Sequence, residues 1–189
     1  NLGNGDFEIV DDGEIAAASG VSTGGAWGDY DNDGFLDLFI PAAIFDGANF
    51  TEHDNFLYHN NGNFNRWLLV KLVGGVSNRS AIGAKVRLKA TIRGKTFWQL
   101  REISGGGARG QNDLRAHFGL GNATNAEVLR IEWPSGIVQE FQNVAAKQIF
   151  AIVEPPVLKA LGPGRVQVLG AKDRSYYIEF SDDLLNWTR

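Results

Sequence analysis

Between Ala84 and Ile92 the chain alternates residue by residue: Val86, Leu88, Ala90 and Ile92 fall on one side, Lys85, Arg87 and Lys89 on the other. That two-residue period predicts a β-strand with one face in a core. Runs rich in strand formers at Trp67–Val73, Thr96–Ile103, Leu114–Phe118, Val128–Trp133, Ile137–Phe141 and Gln148–Val153 bring this stretch to seven short strands with no helical period. Such a set predicts a β-sandwich of about ninety residues. Beyond Pro155 and Pro156, which read as a linker, Arg165–Leu169 and Tyr176–Phe180 predict two more strands. Two or three strands fold only against neighbours.

Nearer the start, Phe35–Ile40 is rich in strand formers and Gly24–Gly28 would break a helix, so the segment between them is a loop joining two strands. Its sequence, Asp29-Tyr30-Asp31-Asn32-Asp33-Gly34-Phe35-Leu36-Asp37, puts carboxylates at positions 1, 3, 5 and 9 and glycine at position 6. Crowded to about 5 Å, each pair of carboxylates would repel by roughly 3 kcal/mol at an effective dielectric near 20. A cation removes that cost. All-oxygen donors select calcium over zinc, and calcium tolerates looser geometry than magnesium. The expected ligands are Asp29, Asp31, Asp33 and Asp37, with Gly34 supplying the sharp turn. An EF-hand shares the early acidic positions and the glycine, but it needs a glutamate at position 12, which here is Ile40, and helices on both flanks.

The chain has 189 residues, 43% of them hydrophobic, with 12 Phe and 5 Trp, enough for a folded core. Its 24 glycines fall at turns between β-rich runs. With no cysteine there are no disulfides, no thiol catalysis and no zinc–cysteine site. No long apolar run predicts a membrane span. The run Ser104–Gly110 lacks the Lys-Ser/Thr pair and following helix of a phosphate loop, and is expected to be a mobile hairpin loop. Ser104 and Ser135 lack the setting of a nucleophile elbow, and His53, His59 and His117 do not make a zinc set. No catalytic site is therefore expected. Asn49, Asn78, Asn122 and Asn186 each begin an Asn-X-Ser/Thr triplet, which matters only in a eukaryotic secretory setting.

The net charge of −4 conceals a polarised chain. Residues 1–65 carry 12 acidic and no basic side chains, whereas residues 66–115 carry 11 basic and 2 acidic ones. Three readings are open for the basic stretch: a solvated face, docking against the acidic module, or capture of an acidic polysaccharide. Nucleic acid is not expected, given a pI near 5.4 and the acidic neighbour.

The loop with its surroundings, Gly25-Ala26-Trp27-Gly28-Asp29 through Leu38-Phe39-Ile40, resembles the FG-GAP/VCBS family of β-propeller repeats. A second mark is an internal return, Asn1-Leu2-Gly3-Asn4-Gly5-Asp6-Phe7 reappearing as His59-Asn60-Asn61-Gly62-Asn63-Phe64. The resemblance implies a calcium loop in which the Phe35 backbone carbonyl joins the four aspartates, within one blade of four short strands. A propeller needs at least four blades, so the remaining blades are expected in a longer parent chain. Further on, Asn65-Arg66-Trp67-Leu68, Asn78-Arg79-Ser80-Ala81-Ile82-Gly83-Ala84, Arg101-Glu102-Ile103-Ser104-Gly105-Gly106-Gly107, Gln111-Asn112-Asp113, His117-Phe118-Gly119-Leu120-Gly121 and Ile131-Glu132-Trp133-Pro134-Ser135-Gly136 resemble the ASPIC/UnbV domain in order and spacing. Ala108-Arg109-Gly110 departs from it, where a more aromatic or hydroxyl-bearing stretch is expected. Ser181–Thr188 resembles a segment of sandwich modules near the C-termini of exported bacterial proteins.

Together these readings predict an all-β chain: a partial propeller blade over residues 1–64, a β-sandwich over 65–154, and a linker with the start of a third β module over 155–189. The expected function is that of a calcium-binding, secreted or cell-surface adhesion or scaffold protein without catalysis, with an extracellular protein or acidic polysaccharide as partner. The alternatives are a glycan-binding accessory module of a polysaccharide-degrading enzyme and the non-catalytic tail of a larger enzyme.

Overall fold

The computed structural model describes residues 24–170 except 46, 53, 108, 109, 112 and 164, together with residues 8, 13, 15 and 175–177. Between Gly24 and Gly170 the described residues form strands joined by bridges, turns, bends and irregular segments, with no helix among them, so the chain is all-β there. Asn1–Phe7 of the internal return, His53, Ile178–Phe180 of the expected last strand and Ser181–Thr188 lie outside the described residues.

The chain divides into two compact units, one of Asn1–Asn61 with Gly106–Asp113, the other of Gly62–Gly105 with Leu114–Arg189. In the first, β1 (Ala26–Gly28), β2 (Asp37–Ile40) and β5 (Phe56–Tyr58) form an antiparallel sheet in the order β1-β2-β5, and β3 (Ala43–Phe45) pairs with β4 (Phe50–Glu52). The acidic loop is the β1–β2 connection, as its flanking residues predict.

The second unit holds two larger sheets. One is fully antiparallel, in the order β11 (Val138–Ala145), β10 (Asn125–Glu132), β7 (Lys85–Ile92), β8 (Lys95–Glu102). The other runs β12 (Gln148–Val153), β6 (Arg66–Val73), β9 (Ala116–Gly121), with β12 parallel and β9 antiparallel to β6. The alternation seen in the sequence is realised. Val86, Leu88 and Ala90 of β7 are at most 1% exposed and share one buried cluster with Leu68 and Val70 of β6, Phe118 and Leu120 of β9, and Leu129 and Ile131 of β10.

Three local expectations change. The pair that follows Pro155 and Pro156 is β13 (Val157–Gly162) with β14 (Arg165–Leu169), so a strand forms ahead of Arg165 where none is expected, while Tyr176 and Tyr177 are not in one. Gly162, at φ 128, supplies a turn conformation that L side chains resist. Strand β9 runs Ala116–Gly121 rather than from Leu114 to Phe118, because its pairing with β6 continues to Arg66 opposite Gly121. The Gly-rich run is not simply a hairpin tip between β8 and β9. Gly106–Asp113 belongs to the first unit, where Gly107 bridges Gly110 and the Asp113 N–H donates to the Trp27 carbonyl at 3.3 Å. A Cβ on Gly110 would lie 2.6 Å from the Gly25 carbonyl oxygen. Close backbone approach, rather than an anion, explains a glycine there.

Candidate metal centre

The loop residues fold inward because each carboxylate accepts a backbone N–H of the loop itself. Asp29 Oδ2 accepts from Gly34 at 3.0 Å, Asp31 Oδ1 from Asp33 at 3.1 Å, Asp33 Oδ1 from Phe35 at 2.8 Å and Asp37 Oδ2 from Tyr30 at 3.1 Å. The turn needs two residues at positive φ, Asn32 at 64° and Gly34 at 92°, an asparagine and a glycine being the types that tolerate it. Asp29 and Asp37 sit at the base, each 2% exposed, while Asp31 and Asp33 lie at the rim.

Oxygens of Asp29, Asp31 and Asp37 all lie within 4.8 Å of one another. Asp33 falls into a second, overlapping group with Asp31 and His59 under the same limit. Of the five ligands expected from the sequence, then, three side chains converge tightly and Asp33 stands at the outer side. The Phe35 N–H is turned onto Asp33. The donor set of the inner group is entirely carboxylate and fits a hard cation. Its Asp29 Oδ1 is buried and accepts no hydrogen bond.

Two residues that motif reading passed over complete the surroundings. His59 Nδ1 lies 3.2 Å from Asp37 Oδ1 and 3.6 Å from Asp31 Oδ2, and its ring meets Tyr30 edge-on at 5.9 Å between centroids. The next residue, Asn60, donates its N–H to Asp37 Oδ1 at 2.8 Å and its side-chain amide to the Leu36 carbonyl at 3.2 Å. Both belong to the His59–Phe64 return, so the signal was in the sequence. Its spatial meaning was not, because β5 must first pair with β2 to carry it back to the loop. The Tyr30 phenol is pushed above its usual range, first by desolvation and then by the charges of Asp31, Asp37 and Asp33.

A second polar centre, in the other unit, gave no sequence signal. Glu154, 1% exposed, follows β12 and accepts the consecutive N–H groups of Gly75, Val76 and Ser77 on Oε2 at 2.9, 2.8 and 2.6 Å. Its Oε1 accepts the hydroxyls of Ser77, at 2.7 Å, and Ser135. Burial alone would raise this carboxyl; the hydrogen bonds from Ser135, Ser77 and Gly75 outweigh it and hold the group below its ordinary value. Nearby, Asn78 clasps Ile82 through both backbone groups, and the Ser135 N–H donates to Ser77 Oγ at 3.1 Å. The segments around Asn78–Ala84 and Trp133–Gly136, distant in sequence, thus meet at one end of the unit.

The basic face is also defined. Arg87 lies 3.1 Å from Glu132, Lys89 3.6 Å from Glu127, and Arg130 3.2 Å from Glu132 and 3.6 Å from Glu140. Hydrogen bonds from Arg130 and Arg87 hold Glu132 below its ordinary value against partial desolvation.

An all-β chain with an acidic β1–β2 loop and a two-sheet unit around Glu154 is what the geometry defines. Residues 74–159 match the family model described as ASPIC and UnbV. The chain is also similar to cartilage acidic protein 1: 32% identical over 149 residues to the Homo sapiens protein, 31% over 149 to that of Mus musculus and 32% over 157 to that of Xenopus tropicalis. Each similarity covers 78% of this chain, which spans about a fifth of the relatives' length, 21 or 22%.

Proposed function

We propose that the chain is part of a calcium-binding, non-catalytic scaffold or adhesion protein that works outside the cell. The observation that carries this reading is the convergence of Asp29, Asp31 and Asp37 oxygens within 4.8 Å, two of these side chains being buried. Carboxylates so placed repel unless a cation joins them, and each is held in place by a backbone N–H of the loop. Asp33 and the Phe35 carbonyl would complete the coordination from the rim. The extracellular setting is supported by the likeness to proteins named for cartilage. In this reading β1, β2 and β5 belong to an FG-GAP/VCBS propeller blade whose companions lie in the rest of the parent chain, and the two sheets of the second unit form a β-sandwich.

Isothermal titration of metal-free protein with calcium is the direct test. A dissociation constant of about 0.1 to 1 mM is expected for a site of this class, and Asp31→Ala should abolish the heat. Absence of binding by the parent protein at millimolar calcium would sink the reading.

A second reading, a glycan-binding accessory module, is favoured by one feature: Trp27 and Tyr30, 51 and 56% exposed, stand at the ends of the β1–loop junction. Aromatic faces of this kind stack on sugar rings. Retention on immobilised acidic polysaccharide, lost in Trp27→Ala but kept in Asp31→Ala, would favour it.

A further inference from the structure

Strand β8 is the terminal strand of its four-stranded sheet, and Phe97, Trp98 and Leu100 on it are 44, 51 and 46% exposed. The run Thr96–Leu100 is uncharged and rich in strand formers, bounded by Lys95 and Arg101. An edge of that composition is a template for another strand unless something covers it. The opposite edge of the same sheet is different: β11 presents Glu140 and Gln142 and carries Asn143 at φ 55.

Backbone register decides which groups of β8 are available. Arg93 and Gly94, at φ 50 and 78, form a two-residue turn of the primed type between Ile92 and Lys95. In such a hairpin the flanking pair is hydrogen-bonded, so Lys95, Phe97, Gln99 and Arg101 direct their backbone groups toward β7. Thr96, Trp98, Leu100 and Glu102 direct theirs to the free edge. On the core-facing side the strand is already engaged, since Gln99 and Arg101 donate to the Gly119 and His117 carbonyls of β9 at 3.0 Å each.

We propose that β8 pairs antiparallel with β8 of a second copy of this chain, about a two-fold axis through Gln99, joining the two four-stranded sheets into one. A two-fold normal to the sheet must set even-numbered residues opposite even-numbered ones. Centred on Gln99, it places Trp98 against Leu100 of the second copy, Thr96 against its Glu102, and Phe97 against its Arg101. Trp98 and Leu100 then meet apolar partners across the edge, while Phe97 lies opposite an Arg101 whose guanidinium already sits over Phe118 of its own copy. Moving the axis to Trp98 would set Lys95 against Arg101, a like-charge pair; moving it to Leu100 would set Trp98 against Glu102. Self-complementarity in a single register selects a second copy over an unrelated strand.

The register makes the test specific. Analytical ultracentrifugation of the whole chain, from low micromolar to submillimolar concentration, should show a reversible monomer–dimer equilibrium. Thr96→Glu faces Glu102 of the second copy twice per dimer and should weaken association about tenfold, while Thr96→Lys should strengthen it several-fold. Thr96 is exposed, so both variants should fold, which circular dichroism checks. Trp98→Pro removes an outward N–H while sparing the β7 ladder, and should leave only monomer. A chain that stays monomeric at the highest concentration, or a dimer that responds alike to Thr96→Glu and Thr96→Lys, overturns the proposal.

Discussion

Ser77 is bound to Glu154 twice, its N–H 2.6 Å from Oε2 and its hydroxyl 2.7 Å from Oε1. With Gly75, Val76 and Ser135 it encloses a carboxylate that is almost fully buried. Removing that carboxylate leaves consecutive amides facing a void. Glu154→Ala is expected to cost about 3 to 5 kcal/mol, the range for breaking a buried charged network from one side. Urea denaturation measures it. Added formate should restore part of the loss in Glu154→Ala and none in the parent; no destabilisation would refute this account of the loop.

The same residue gives stability a pH dependence with a definite sign. Its carboxyl lies below its ordinary value in the folded chain, so the folded state binds its proton less readily than the unfolded one. The stabilisation is therefore complete above the unfolded carboxyl value of about 4.3 and is lost as pH falls through the lower folded value. The stability difference between the parent and Glu154→Gln should be constant from pH 7 to about 5 and shrink below about 4. A difference that grows on acidification contradicts it.

Within the loop, Asp31 and Asp37 should separate ion binding from scaffolding. Asp37 accepts the N–H groups of Tyr30 and Asn60, whereas Asp31, at the rim, accepts the near-neighbour Asp33 N–H and has His59 3.6 Å away. Asp37→Ala is expected to destabilise the first unit even in chelator, by roughly 2 kcal/mol. Asp31→Ala should leave melting in chelator unchanged or raised, yet remove the gain from calcium, which for the parent is expected at about 2.7 kcal/mol at a hundredfold excess over the dissociation constant. Thermal melts of both variants with and without calcium decide between these roles.

Gly74 should be irreplaceable for a steric reason. A Cβ there would lie 2.0 Å from the Asn78 carbonyl oxygen, and the Gly74 N–H already donates to Arg79 at 3.0 Å. Backbone cannot yield as a side-chain tip can, so Gly74→Ala should cost more than about 3 kcal/mol or prevent folding. Gly94→Ala, with nothing within 4 Å but φ 78, should cost only about 1 kcal/mol. Equal losses would contradict the contact.

Reversing Lys85, Arg87 and Lys89 to glutamate should now do more than recolour a surface. Glu127 and Glu132 stand beside Lys89 and Arg87, and Lys85 lies opposite Glu132 and Glu102 on the neighbouring strands, so the triple variant sets like charges side by side. The cost is expected at about 1 to 2 kcal/mol and to fall with added salt, since each pair is exposed. A salt-independent loss would point to packing instead.

What could be read from the chain alone was local. The face of β7 followed from alternation of Val86, Leu88 and Ala90, because strand period needs no knowledge of partners. The β1–β2 loop followed from the spacing of Asp29, Asp31, Asp33 and Asp37 and from Gly34, whose positive φ is a property of one residue. Everything that depends on contact between distant segments was decided by the tertiary structure. Glu154 looks ordinary until parallel pairing of β12 with β6 brings it to Gly75–Ser77. His59 and Asn60 reach the acidic loop only through pairing of β2 with β5. The basic stretch, counted along the sequence, held only two acids; folding brought Glu127 and Glu132 to it from β10, about forty residues on. Charge and hydrogen bonding act over a few ångströms of space, which sequence distance does not measure.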